Sequence, residues 1–230
     1  MRIDIISAVP ELLSGPLDHS IVGRARKANK VHIEVHDLRS YTTDKHGKVD
    51  DYPFGGGAGL VLTPQPIFDC IESLKKDRTY DEVIFPTPDA PVLDQPMVNK
   101  MSMKENIIIL CGHYKGIDQR IRDELVTCEI SIGDYVLSGG ELPAMVLTDS
   151  MVRLLPGVIG DAESALDDSF QDGLLSAPVY TRPASFRGLK VPDVLVSGNH
   201  ERIRSWKEKK SLEQTREMRP DLYRFFINKK

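Results

Sequence analysis

The chain has 230 residues, 40% of them hydrophobic and 28% charged, with a formal net charge of −4. That length buries a sizeable core, as one large domain or as a medium domain and a small one, and the composition excludes both a disordered chain and a membrane-embedded protein. Three cysteines, Cys70, Cys111 and Cys128, stand far apart in no Cys/His pattern, which argues against a disulfide framework or a zinc site and suits a reducing cytoplasm.

In chain order, residues 2–9, 31–38, 82–85, 106–111 and 129–132 are short β-branched or alternating runs and predict strands. The first run carries an acid at position 4 and is followed by no long apolar stretch or cleavage site, so no export signal is expected and the localisation expected is cytoplasmic. Helical patterns over 11–30, 66–76, 96–103 and 141–155 alternate with these strands, which predicts an α/β fold. Between them, 39–63 lacks helical periodicity and ends in Pro53-Phe-Gly-Gly-Gly-Ala-Gly59, a structured loop whose glycines suit conformations or close approaches that side chains forbid. The polar, acidic stretch 160–173 predicts a flexible linker, and a Pro-rich segment, 178–192, follows. Helices are expected over 198–210 and 211–217, the first capped by Ser197 or Asn199, within a small domain at 174–230 and after a main domain at 1–159. Charge is unevenly distributed: residues 182–230 hold 13 Lys/Arg against 6 Asp/Glu, a balance of +7, which leaves −11 for residues 1–181. A basic segment on an acidic body suits phosphate binding, although a solvated helix surface has the same composition.

Several chemistries are excluded by spacing. Leu60 stands where a GxGxxG fingerprint needs its last glycine, and no Gly-rich loop carries the Gly-Lys-Ser/Thr of a P-loop. HExxH and GxSxG are both absent, and the six histidines form no ligand pair on a predicted helix, since His32 and His36, four residues apart, lie on a predicted strand. What remains is a pair of Gly-rich loops, 111–116 and 132–140, each following a predicted strand. Loops beyond the carboxyl ends of strands are the favoured ligand sites of open α/β sheets, though such glycines also serve as plain turns.

The string Cys111-Gly-His-Tyr-Lys-Gly-Ile-Asp-Gln-Arg120, followed by Ile130-Ser-Ile-Gly-Asp-Tyr-Val-Leu-Ser-Gly-Gly-Glu-Leu-Pro143, resembles the cofactor-binding region of the bacterial tRNA (guanine-N1)-methyltransferases. Asp168-Ser-Phe-Gln-Asp-Gly-Leu-Leu175, Tyr180-Thr-Arg-Pro183 and Ser197-Gly-Asn-His200 are similar to the family's other signatures in the same order, so the resemblance spans about 1–224. It implies a trefoil-knotted SPOUT methyltransferase domain with a mostly parallel sheet, the knot lying in roughly 84–140, plus a small α-helical C-terminal domain for tRNA. It also implies a homodimer with shared active sites, S-adenosylmethionine as methyl donor and the tRNA anticodon stem-loop as partner, with a divalent ion left unassigned and no membrane involved.

Carried over by motif, the cofactor contacts are Pro88, Gly112, Tyr114, Ile132, Gly133, Asp134, Tyr135, Val136, Leu137, Gly139, Gly140 and Pro143. The same comparison makes Asp168 the general base and Arg153 its electrostatic partner. A carboxylate suits this chemistry because N1 of guanine carries a proton that must leave as N1 attacks, and a guanidinium suits the charge that develops on O6. Read without the resemblance, Asp168 is one acid in a polar linker, and Arg153 pairs with Asp149 one helical turn away. For substrate, the resemblance and the charge pattern point to Gly55, Gly56, Gly57 and Gly59 as the receiver of an unstacked guanine. Ser169, His200, Lys207, Lys209 and Lys210 are the further RNA contacts, with Arg24 and Arg26 on the main lobe as weaker ones. Three departures stand out: Lys115 where Glu is common, Phe85-Pro-Thr-Pro-Asp89 in place of Tyr-Leu-Ser-Pro-Gln, and Ser176 where an acid is frequent.

Overall fold

Alternating isoleucines at the start of the chain form β1 (Arg2–Ser7), which pairs in parallel with β2 (His32–Asp37) so that Ile5 faces Val35 across the ladder. A computed structural model describes residues 1–159 and 168–228, and the chain divides into two compact units, Met1–Gly160 and Asp161–Lys230. In the first unit, β3 (Asp50–Asp51) and β4 (Val61–Leu62) form a small antiparallel ladder on either side of the glycine loop. The main sheet is completed by β5 (Glu82–Pro86), β6 (Asn106–Leu110) and β7 (Cys128–Ile130) in the order β2-β1-β6-β5-β7, with every neighbouring pair parallel.

The inner strands of this sheet are buried on both faces, which is why β5 and β6 are apolar runs such as Asn106-Ile-Ile-Ile-Leu110, while the edge strand β2 alternates. Ile3, Ile5, Ile84, Ile107 and Ile109 pack on one side with α1 (Ser20–Lys27), α3 (Gln95–Met101) and α5 (Glu141–Val152), through Val22, Ala25, Val98, Met101, Ala144 and Leu147. Alternate positions, Ile6, Val83, Phe85, Ile108 and Leu110, pack on the other with α2 (Pro64–Asp77) and α4 (Gln119–Glu124), through Ile67, Cys70, Ile71 and Ile121.

The helix expected over 11–30 is corrected. Two short 3-10 turns, Pro10–Leu13 and Pro16–Asp18, precede α1, which begins only at Ser20. Gly15 takes a φ of 88°, and Pro16 opens the second turn, so apolar spacing continues through a backbone that cannot be one helix. The loop at 39–63 likewise contains more order than its pattern predicts: a 3-10 turn at Leu38–Tyr41 and the β3–β4 ladder.

One polar group is fully buried in the sheet face packed by α2. The Asp4 carboxylate accepts hydrogen bonds from Arg2 (Nε at 2.7 Å, Nη2 at 2.8 Å) and Tyr80 (2.7 Å), and lies 2.8 Å from His36 Nε2. Burial alone would raise its pKa, but the bonds from His36, Arg2 and Tyr80, with the Arg2 charge, outweigh burial and hold it well below the usual carboxylate range. Although Asp4, Glu34 and His36 stand close enough to share a cation, Asp4 is already saturated by donors, and we assign no ion there. A carboxylate whose pKa is depressed on folding contributes stability that is present above its unfolded pKa, near 4, and is lost as pH falls through the folded value. Asp4→Asn should therefore cost about 3 kcal/mol at neutral pH. The same change should flatten the fall in stability below about pH 5, as read by urea unfolding at a series of pH values; equal acid slopes in both proteins would refute this.

In the second unit, residues 168–174 form a turn in which Phe170 N donates to Leu174 O at 2.7 Å and Leu174 N to Asp172 Oδ1 at 3.0 Å. The rest of the expected linker, 160–167, lies outside the described residues. A hairpin, β8 (Ser185–Phe186) with β9 (Leu189–Lys190), leads to α6 (His200–Met218) and α7 (Pro220–Asn228). Asn199 caps α6 by accepting from Arg202 N at 3.0 Å. The two helices expected at 198–210 and 211–217 are one, because Ser211 bends nothing: its hydroxyl donates to Leu175 O at 2.5 Å, and Thr215 Oγ1 accepts from Leu175 N at 2.9 Å.

Candidate functional site

Parallel pairing brings the carboxyl ends of β5, β6 and β7 to one edge, and the loops that leave them are stitched together by backbone hydrogen bonds. Thr87 N donates to Ile130 O (2.9 Å), Ser131 N to Pro91 O (2.8 Å), Leu93 N to Ser131 O (2.8 Å) and Gly140 N to Gly112 O (2.7 Å). Between the loops lies a cavity of about 360 Å³, within the size range of small-molecule sites. Pro88, Gly112, Tyr114, Ile132, Gly133, Tyr135, Val136, Leu137, Gly139, Gly140 and Pro143 all line it. Asp134 does not: its side chain is exposed beside the cavity rather than in its wall.

Glycine is required here by contact rather than by turn geometry. A Cβ on Gly140 would stand 2.8 Å from Cys111 Cα and Gly112 N, and one on Gly112 would stand 2.9 Å from the Phe85 ring. These positions let α5 and two loops meet backbone to backbone, leaving peptide groups free to face a ligand. Tyr114 takes a φ of 59°, a strained value for a residue with a side chain, which turns the loop at the cavity wall. Its hydroxyl is pushed up by a hydrogen bond to Asp50, by burial and by the Asp50 charge.

Several side chains in and behind the cavity wall escaped the sequence reading. Glu141, buried at the first turn of α5, accepts from Ser7 Oγ at 2.6 Å, and its other oxygen lies 2.9 Å from His113 Nε2 at an angle too poor for a hydrogen bond. The carboxylate therefore joins the end of β1, the loop after β6 and the start of α5. Gly139 leaves room for this group, since a Cβ there would stand 2.5 Å from both partners. Arg122 holds Glu129 with two bonds (2.6 and 2.7 Å), reaches Asp89 at 3.0 Å, and sits 5.6 Å over the Phe85 ring. No local motif signals these pairings, because Ser7 and Glu141 are 134 residues apart.

Cys111 lies behind the cavity with no exposed surface, and burial, reinforced by the Glu141 charge, pushes its thiol well up, which leaves it inert as a nucleophile. Burial pushes the Cys70 thiol up to about 12, and Cys128 is raised too.

The glycine loop, Gly55, Gly56, Gly57 and Gly59, takes φ values of 84°, 79°, 106° and 98°, all in the region that favours glycine, and is exposed. It is tied to the loop after β6, with Lys115 N donating to Leu60 O (3.0 Å) and Leu62 N to Gly116 O (3.1 Å). Arg153 is the C-cap of α5 in the first unit, and Asp168 and Ser169 begin the turn of the second unit. Ser169 Oγ lies 2.9 Å from Ser176 Oγ.

On α6, His200, Lys207 and Lys209 are exposed, while Lys209 and Lys210 flank Glu213 at 3.9 and 2.7 Å. The half-buried Trp206 packs against the exposed Tyr180, ring centroids 6.3 Å apart. Arg24 is exposed, and Arg26 is bound to Asp18 and Leu17 O. Among the described residues, no helix is long and apolar enough to cross a membrane.

A family profile described as tRNA (Guanine-1)-methyltransferase TrmD matches residues 1–225. Among similar curated proteins, the tRNA (guanine-N(1)-)-methyltransferase of Flavobacterium psychrophilum is 60% identical over 222 residues, covering 96% of this chain and 99% of that protein. Proteins of the same name are 58% identical in Bacteroides thetaiotaomicron (96% of this chain, 99% of that one) and 55% identical in Chlorobaculum tepidum (96% of each).

Proposed function

The chain belongs to the tRNA (guanine-1)-methyltransferase family, and from that premise we propose that it methylates N1 of the guanine 3′-adjacent to the anticodon, position 37 of tRNA, in the cytoplasm. The observation that carries the reading is the cavity at the ends of β5, β6 and β7, where the family's two glycine-rich motifs meet. The residues fit S-adenosylmethionine: glycines at 112, 139 and 140 leave a cradle that Cβ atoms would fill, and Tyr135, Val136 and Leu137 supply apolar wall. When bound, this cofactor supplies an electrophilic methyl on a sulfonium.

The chain's own residues then have three tasks. The glycine loop at 55–59 receives the unstacked guanine, whose edge its exposed peptide groups can read. Asp168 accepts the N1 proton, so that N1 becomes a competent nucleophile. Arg153 stabilises the negative charge that moves onto O6. Asp168 and Arg153 act together in a homodimer with shared active sites; Leu142 and Val146, exposed apolar residues one turn apart on α5, suit burial against a second copy. We further propose the trefoil knot for the segment 84–140, a reading supported by the way the 87–93, 112–116 and 131–140 loops interlock through their peptide groups. The basic helical unit at 174–230 serves as the tRNA-binding domain, with Ser169, His200, Lys207 and Lys209 toward the RNA. No residues are assigned to a divalent ion.

The test is transfer of labelled methyl from S-adenosylmethionine to a tRNA transcript carrying guanines at 36 and 37, beside one lacking the second guanine. Product on the intact transcript alone is expected. Salt-dependent tRNA binding without product would instead indicate a catalytically silent RNA-binding protein on the same scaffold.

A further inference from the structure

Two permanently positive side chains, Arg122 and Lys115, line the cavity, and the first is already engaged. Arg122 is held by Glu129 and Asp89, and His113 stands against Glu141. Lys115 differs: it is exposed, and among the described residues no carboxylate lies within ion-pair distance of it. Its backbone is fixed by the bond to Leu60 O, while its side chain lies along the glycine loop. The stem fills the space beside Gly59, whose missing Cβ would lie 3.2 Å from Cγ and Cε, and the ammonium reaches Gly57, whose missing Cβ would lie 3.5 Å from Nζ. Beyond it, Gly55 and Gly56 have nothing within 4 Å of the corresponding position, so the loop face next to the ammonium is open.

We propose that Lys115 is a substrate-positioning residue that binds the RNA backbone phosphate beside the acceptor guanine. This rests on the methyltransferase reading above. An anionic oxygen is the chemistry a compact, hydrated ammonium recognises, and it could come from an RNA phosphate or from the carboxylate of the cofactor. The placement of the side chain selects the phosphate: its stem lies beside Gly59 and Nζ beside Gly57, on the loop proposed to receive the base. Glycine at 59 thus has a second use, because a Cβ there would press on the lysine stem at 3.2 Å.

The experiment compares wild type, Lys115→Gln and Lys115→Arg in two titrations: S-adenosylhomocysteine by calorimetry, and the guanine-36, guanine-37 transcript across a salt series. For Lys115→Gln, cofactor-product affinity should stay within about twofold, while tRNA affinity falls roughly 5- to 10-fold at low salt and the log–log salt slope becomes shallower by about 0.7 to 0.9, the loss of one phosphate contact. Lys115→Arg should restore most of the affinity and the slope. A drop in S-adenosylhomocysteine affinity with an unchanged salt slope would overturn the proposal in favour of the cofactor carboxylate, and no change in either titration would leave only a solvated lysine. If the wild type bound no tRNA at all, the methyltransferase reading would fail first, and this one with it.

Discussion

Gly140→Ala is expected to abolish cofactor binding, lowering affinity for S-adenosylhomocysteine by at least about 100-fold, with a fall in thermal stability of roughly 2–4 kcal/mol. The backbone at Gly140 has φ −80° and ψ −6°, which alanine adopts without strain, so the whole effect is steric. The obstructing atoms are Cys111 Cα and Gly112 N, both 2.8 Å from the new methyl, and Cys111 C at 3.2 Å. All belong to the backbone at the end of a buried central strand and have no rotamer by which to move aside. On the opposite side, Gly140 O receives Ala144 N at 2.8 Å as α5 begins, so α5 would have to withdraw. Its withdrawal would break the Gly140 N to Gly112 O bond and open the cavity wall. Gly55→Ala is the contrast: φ is 84° but the space is empty, so it should cost only the backbone strain, about 1 kcal/mol. Calorimetric titration with thermal melts of both variants checks this, and a Gly140→Ala protein that binds within twofold of wild type would show that the close approach is not needed.

Asp168→Asn should lower the single-turnover rate of methyl transfer by about 10²- to 10⁴-fold, the range expected when a general base is lost. Asparagine keeps the size and much of the hydrogen bonding of the carboxylate but cannot take the N1 proton. Binding should therefore hold: tRNA and S-adenosylhomocysteine affinities are expected to stay within about threefold, which locates the loss in the chemical step. A rate reduced less than about tenfold, or a loss confined to tRNA binding, would remove Asp168 from the proton transfer.

The strands of the main sheet are legible in two ways: β5 and β6, buried on both faces, are apolar runs, whereas the edge strand β2 alternates because part of it is exposed. The glycines at 112, 139 and 140 follow strands in the sequence, but their spacing does not tell a close backbone approach from a plain turn. Helix boundaries were less readable. Apolar periodicity carried the eye through Gly15-Pro16, where the backbone turns twice before α1, and α4, with six residues, is too short to show a period. At the other end, Pro220 starts α7 at its favoured first position, but the segment holds only nine residues, too few for a clear helical period. Hidden altogether were the pairings that organise the cavity wall. Ser7 with Glu141, and Arg122 with Asp89, join residues whose nearness is created by the crossing order of the strands and is absent from any local spacing.

That crossing order bears on how the protein is made. In the sheet, β6 stands between β1 and β5, although it follows both in the chain. A ribosome that has delivered only the first hundred residues has therefore produced two pieces of sheet that do not touch: β1 with β2, and β5 with neither of its partners, β6 and β7. The exposed edges of those pieces wait for Asn106–Leu110 to be inserted between them and for Cys128–Ile130 to close the row. The last part of the first unit to emerge is also the part that walls the cavity, so a nascent chain has no functioning pocket until the unit is nearly whole, and premature release leaves sticky strands in place of a smaller enzyme.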